Sequence, residues 1–272
     1  MKKVDILKFV MSFLVIFIHV SWYYEDSICG YYLTNTICRF AVPFFLICTG
    51  YFCNGDFLKT IKRLLILYTV WVVIYFSTTE AGIRALLFDG LSFHMWYITY
   101  SIWGLILLYF LLKVLDIKKV MGISFILYFL PYCMGINTQF LFTVFVLSLG
   151  IYMRDHEIKM NNIWMLIISL IFLILEIHVI KTNFIICASL IPGVVAIFNL
   201  AKNGLQNNGL RTFRNLSTVI YFCHVYVLRM VVVFVSNIGV TFLITAVVSF
   251  IISVIVVKGS ECKYCKVLKL LY

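Results

Sequence analysis

Lys2-Lys-Val-Asp5-Ile6-Leu-Lys8-Phe-Val-Met-Ser12-Phe-Leu-Val-Ile-Phe-Ile-His19-Val-Ser-Trp22-Tyr-Tyr24 is the stretch that decides what kind of molecule this is. From Ile6 to Tyr24 it is apolar enough to lie in hydrocarbon, with a few polar groups set into it. Two lysines precede it, as in a secretory signal. It lacks a small-x-small cleavage site and many similar segments follow it, so it reads as a retained first helix. Further apolar runs cover 36–53, 63–79, 91–112, 120–134, 139–153, 162–180, 184–201, 215–235 and 239–257. A transmembrane helix needs ~20 apolar residues, so the chain is expected to cross a membrane about ten times, with the shorter runs tilting little or sitting inside the bundle.

Composition agrees with that reading. Of the 272 residues, 64% are hydrophobic and 12% charged, against ~25% charged in ordinary soluble domains; the mean hydropathy is +1.07. Lipid must therefore be the solvent, and only helices or closed barrels satisfy the backbone there. Barrel alternation is absent, which leaves an all-α polytopic bundle. It is expected as one transmembrane domain over 1–257, with a short basic amphipathic tail over 258–272 on the inner leaflet. The net charge of +11 belongs to loops between hydrophobic runs, so it does not signal nucleic acid and no nucleic-acid module is present.

The basic residues also give a direction. With the N-terminus inside, 18 of the 22 Lys and Arg fall on inner segments, and only Arg39, Arg84, Lys181 and Arg229 do not. The positive-inside bias then puts both termini in the cytoplasm and the chain in the cell membrane as a multi-pass protein. The nine cysteines are scattered. Cys262-Lys-Tyr-Cys265 has CxxC spacing, but no second pair or histidine cluster completes a zinc site, so no metal is expected. Cys29 and Cys38 flank an outer loop; a disulfide between them is one reading, and reduced packing residues are the favoured one.

Ionisable side chains inside a span are expensive and mark function by default. Lys8 and His19 are eleven residues apart, almost three helical turns, hence on one face and ~16 Å apart along the axis. Ser12 and Val15 fall on the same stripe. It carries a cation at the inner mouth and an imidazole in the outer half of the membrane. The alternative is a lysine snorkelling to the surface and a histidine bonded to a neighbouring helix. Arg39 opens the second run at a similar depth, with Pro43 expected to loosen the backbone beside it. A cation there suits an anionic or carbonyl-bearing ligand, or a carboxylate such as Glu25 or Asp26. His94-Met-Trp96-Tyr97 opens a later run, either as a functional element or as an interfacial aromatic belt. Glu176 and His178 lie near the outer end of another run, and Tyr221 and His224 lie mid-span in the ninth.

These residues carry a resemblance. Lys8-(ten residues)-His19 is similar to the Arg/Lys-x10-His signature of the acyltransferase-3 family of bacterial membrane acyltransferases. Arg39-Phe-Ala-Val-Pro-Phe-Phe-Leu-Ile-Cys-Thr49-Gly50-Tyr51-Phe52 resembles its arginine-led helix ending in a Ser-Gly-aromatic motif. Lys59-Thr-Ile-Lys62-Arg63 resembles its basic stretch before the third helix, His94-Met-Trp96-Tyr97 its His-x-Trp-aromatic element, and Ser217-Thr-Val-Ile-Tyr221-Phe-Cys-His224 its late Ser-x-x-Ile-Tyr-x-x-His segment. Lys8 stands where arginine is commoner and Thr49 where serine is usual. The family includes the membrane portion of serine-racemase-type resistance proteins, which this chain resembles in size.

The resemblance implies transfer of an acyl group, usually acetyl, from cytoplasmic acyl-CoA to a hydroxyl of an outward-facing cell-envelope glycan or small molecule. Lys8 carries over as a donor-binding cation, His19 as the central catalytic residue and Arg39 as an active-site cation. The stripe fits this: Lys8, with Ser12, Lys62 and Arg63, suits the CoA phosphates and arm. His19 is then a general base or a transient acyl carrier, and Arg39 an oxyanion stabiliser. Glu25, Asp26 or Glu176 orients the histidine, with Glu25 favoured. His94, Trp96, Tyr97, Glu176, Tyr221 and His224 shape the acceptor pocket. Two other classes stay open: a transporter for a small polar solute such as an amino acid, with the stripe as its pathway, and an accessory membrane subunit. A homo-oligomer is among the open assemblies.

Overall fold

The computed structural model describes residues 2–24, 27–53, 55–75, 87, 94–133, 139–158, 160–175, 189–202, 210–262 and 265–272. Among them every regular element is helical: α1 Lys2–Ser21, α2 Ile28–Asn35, α3 Ala41–Phe52, α4 Phe57–Tyr75, α5 Trp96–Leu111, α6 Ile117–Cys133, α7 Gln139–Asp155, α8 Asn162–Leu175, α9 Leu190–Lys202, α10 Arg211–Val231 and α11 Ile238–Gly259. Three helical stretches are long and apolar enough to cross a membrane, namely Lys3–Ser21, Gly30–Phe52 and Ile238–Gly259. Shorter apolar helices include α5, α8 and α9.

The second predicted run is built in pieces. Ser27 caps α2 by accepting the Gly30 backbone N–H at 3.1 Å, and a 3-10 turn, Cys38–Phe40, follows before α3 begins. Pro43 stands in the first turn of α3, where a missing N–H is tolerated. It offers no i→i−4 hydrogen bond to the carbonyl of Arg39, which sits in the tight turn just before it.

The residues divide into two compact units. One comprises Met1–Phe44, Asn161–Ile185 and Ser189–Tyr272, the other Phe45–Met160 and Ile186–Ala188. In the first unit α1 packs on α10 and α11. Ile16, Val20, Ile220, Leu228 and Ala246 form its buried centre. Phe9 meets Phe213 of α10 at 5.2 Å and Phe250 of α11 at 5.9 Å. Toward the other end of α1, Phe17 meets Phe242 at 5.4 Å. The Tyr24 hydroxyl donates to the carbonyl of Val235 at 2.6 Å and lies 2.7 Å from Thr241 Oγ1. One phenol thus ties the end of α1 to the α10–α11 connection. Tyr24→Phe is expected to cost about 1 kcal/mol and to lower Tm in a detergent melt by about 2–4 °C; an unchanged melt would mean that water replaces the phenol there. Phe40 fits a notch over Gly193 of α9, and Ser169 of α8 donates to Ser189 O at 2.6 Å.

In the second unit α5 packs on α4 and α7, and α6 on α7. Gly50 and Gly150 let the second half of α3 and α7 touch backbone to backbone. Helix starts are capped by carboxylates: Asp56 accepts from Lys59 N at 3.1 Å and Asp116 from Lys119 N at 3.0 Å. The Lys119 backbone N–H holds the Asp116 carboxyl below its ordinary pKa.

The C-terminal segment is not a loose tail. After α11 the chain turns and forms a 3-10 helix, Lys266–Leu271. Ser260 and Tyr272 are hydrogen-bonded at 2.6 Å and Leu268 lies against Gly259, while Lys266, Val267, Lys269 and Leu270 face outward. Cys38 and Cys223 are buried thiols, and Cys262 and Cys265 are likewise not joined in a disulfide. Among the described residues no His, Cys, Asp and Glu side chains cluster as metal ligands.

Candidate active site

The stripe on α1 exists as a face. Ser12 and His19 are buried, at 0% and 6% exposure, Val15 lies between them, and Lys8 is half-buried near the start of the helix. The Ser12 hydroxyl donates to Phe9 O at 2.6 Å. This spends its proton within the helix and leaves its lone pairs to accept.

His19 meets a partner that no local pattern announces. Its ring is stacked on that of His224 with centroids 5.2 Å apart and planes 29° apart. His224 is fully buried and its Nδ1 lies 3.1 Å from the carbonyl of Ile220. That contact favours a proton on Nδ1 and leaves Nε2 as the lone-pair nitrogen. Tyr221 lies one turn back with its ring 6.1 Å from that of His224. On the other side of His19 the Trp22 indole stands edge-on at 5.0 Å. Trp22 was missed from sequence, although its i+3 position relative to His19 places it on the same helix flank.

Arg39 is half-buried and held by a neutral group. Its Nε and Nη2 both donate to Asn35 Oδ1, at 3.1 and 2.8 Å. Asn35 was also missed, and again the signal was spacing, four residues back. Asn35 thus aims the guanidinium, and a cation so aimed suits an anion or a developing oxyanion. The turn bearing Arg39 packs against α1. Of the carboxylates offered as partners for His19 or Arg39, Glu25, Asp26 and Glu176 lie outside the described residues.

The remaining residues belong to the second unit. His94 is buried with its ring 5.1 Å from Tyr75. Trp96 packs edge-on to Tyr100 at 5.6 Å. The Tyr97 hydroxyl lies 3.2 Å from Thr49 Oγ1, so the Thr49-Gly50-Tyr51 and His94-Met-Trp96-Tyr97 motifs meet through one hydrogen bond. Lys62 and Arg63 are exposed on α4. The sequence grouped His224 and Tyr221 with His94, Trp96 and Tyr97; the structure sets the first two beside His19 within the first unit.

Two curated relatives from Enterococcus faecalis, each named amino-acid racemase, are both 28% identical to the chain. In one the match covers 46% of this chain and 20% of the relative, in the other 35% and 17%. The chain thus spans about a fifth of the length of these relatives. No solved structure matches it. The model of the acyltransferase-3 family, described as an acyltransferase domain, matches residues 1–258, which include every motif of the resemblance. The chain belongs to the acyltransferase-3 family of membrane acyltransferases.

Proposed function

We propose that this protein moves an acyl group, acetyl as the leading case, from cytoplasmic acyl-CoA to a hydroxyl of an outward-facing cell-envelope glycan or small molecule. The observation that carries the reading is the buried His19–His224 pair at one end of a helix whose other end bears Lys8. In this reading the chain crosses the cell membrane about ten times, both termini are cytoplasmic, and the Lys8 end of α1 faces the cytoplasm. The ~16 Å from Lys8 to His19 is comparable to an extended pantetheine arm, so a thioester entering from the Lys8 end reaches the imidazole.

The chemistry then follows. His19 takes the proton of the acceptor hydroxyl as its oxygen attacks the thioester carbonyl. Arg39, aimed by Asn35, stabilises the oxyanion. The C–O bond stays, the C–S bond breaks, and the proton on His19 goes to the leaving thiolate. The same residues permit a two-step course in which His19 first carries the acyl group. Lys62 and Arg63 add positive charge for the donor, and His94, Trp96 and Tyr97 contribute to the acceptor side. Ser12, buried with its lone pairs free to accept, lies on the donor path. Glu25 remains the proposed orienting carboxylate and Glu176 an acceptor-side residue. The name of the enterococcal relatives describes proteins about five times the matched length and is not carried to this chain.

The test uses sealed vesicles with the protein oriented as in the cell and radiolabelled acetyl-CoA inside. Label is expected on an external hydroxyl acceptor, with free CoA accumulating within. Transfer only when the donor is added outside would reverse the orientation. Solute flux that needs no CoA would replace the enzyme with a transporter.

A further inference from the structure

The donor end of the first unit holds a cation that the motifs above leave out. Phe9 and His19 are ten residues apart on α1; their ring partners, Phe213 and His224, are eleven apart on α10. The two helices therefore run parallel and keep register over their whole contact. Ser12 is level with Leu216–Ser217 and Lys8 with Thr212. Arg214 stands two residues beyond that level, ~3 Å along the axis.

The sides match as well as the levels. Phe9 and Phe213 mark the side of the pair on which Phe250 of α11 lies. Lys8 is one residue before Phe9 and Arg214 one residue after Phe213, each ~100° of rotation away. On parallel helices that face each other, a step back on one and a step forward on the other turn to the same side. Lys8 and Arg214 thus flank one groove, opposite α11. Ser12 and Ser217 follow along it, each seven residues before its histidine. α10 carries the same residue types in the same order as α1, cation, hydroxyl, imidazole, with Arg214 three residues before Ser217 where Lys8 stands four before Ser12.

Arg214 carries the marks of a group awaiting an anion. Its Nε is buried and has no hydrogen-bond partner. Among the described residues no carboxylate pairs with it. The first turn of α10 holds no acidic residue; on α1 the nearest carboxyl in sequence to Lys8 is Asp5, one turn before it. A buried unpaired guanidinium N–H costs stability unless something satisfies it. Guanidinium groups match phosphate geometry with two parallel donors.

We propose that Arg214 is a further donor-binding residue, which together with Lys8 holds a phosphate of acyl-CoA at the entrance of the α1–α10 groove. This rests on the acyl-CoA reading of the same site.

CoA titrated calorimetrically into the full chain in nanodiscs tests it, alongside acetyl-transfer kinetics and a melt without CoA. Arg214→Gln is expected to weaken CoA binding about 10- to 100-fold. KM for acetyl-CoA should rise by a similar factor while kcat at saturating donor is kept. The melt without CoA should be unchanged or higher, because an unsatisfied buried group has been removed. Arg214→Lys should bind CoA between the two, keeping the charge and losing the fork. Equal CoA affinity in wild type and Arg214→Gln overturns the inference and leaves the acyl-CoA reading standing. So does a loss of affinity matched by an equal fall in the melt of both variants, which marks a structural role. A wild-type protein that neither binds CoA nor transfers label overturns both.

Discussion

His19→Ala is expected to lower acetyl transfer by about 10²–10⁴-fold, with CoA affinity and protein level close to wild type. The size follows from position. His19 is buried, sits at the end of the α1 stripe and faces His224 at 5.2 Å, so under the proposed mechanism its loss removes the group that moves the proton. His224 stays in place in that variant, because its Nδ1 contact to Ile220 O is local to α10. The split between transfer and CoA affinity is the informative readout. Donor binding is assigned to the far end of the stripe, and a fall in CoA affinity equal to the fall in rate would mean a collapsed helix pair instead of a missing base. Label transfer at the wild-type rate, with normal protein level, would remove His19 from the chemistry.

The second large effect is on stability. Gly50→Ala and Gly150→Ala should each destabilise the second unit by about 1–3 kcal/mol or more, read as a lower detergent melt and poorer yield. A Cβ on Gly50 would collide with the carbonyl oxygen of Leu147 and lie 3.1 and 3.2 Å from Leu147 C and Gly150 Cα. One on Gly150 would collide with Ile47 O and lie 3.0 Å from Tyr51 N. These are backbone atoms, so no rotamer change relieves the clash and the two helices must separate. Gly122 is the control: nothing lies within 4 Å of a Cβ there, so Gly122→Ala should be neutral or slightly stabilising. If all three variants melted alike, the close approach of α3 and α7 would not be a source of stability. The Thr49-Gly50-Tyr51 motif therefore has a packing reason as well as a family likeness. Its glycine permits the crossing and its threonine meets Tyr97.

What was legible in the sequence is what depends on local solvent preference. The first run, 6–24, appears as α1 Lys2–Ser21 and the last, 239–257, as α11 Ile238–Gly259, because a long apolar run has one way to satisfy its backbone in lipid. The Lys8–Ser12–His19 face was legible for the same reason, since helical spacing alone defines it. The second run was less so. Hydropathy does not register a 3-10 turn, and the break at Cys38–Phe40 lies just before Pro43, which supplies no N–H to the preceding turn. Asn35 under Arg39 and Trp22 beside His19 were within reach of an i+3/i+4 search, but neutral residues drew no attention next to costly charges. The His224 partner and the Arg214 register were out of reach. Both depend on which helices become neighbours, which no local spacing specifies.

The pairing of α1 with α10 also sets a schedule. His19 and His224 are 205 positions apart in the chain, and translation at ~5–20 residues per second separates their appearance by about 10–40 s. During that interval the first helix waits without the α10 ring that stacks on its imidazole. A ribosome-bound intermediate stalled before α10 should be inert toward acyl-CoA however completely its earlier helices have inserted. In the proposed mechanism the chemistry is available only once α10 docks, and earlier intermediates spend no thioester.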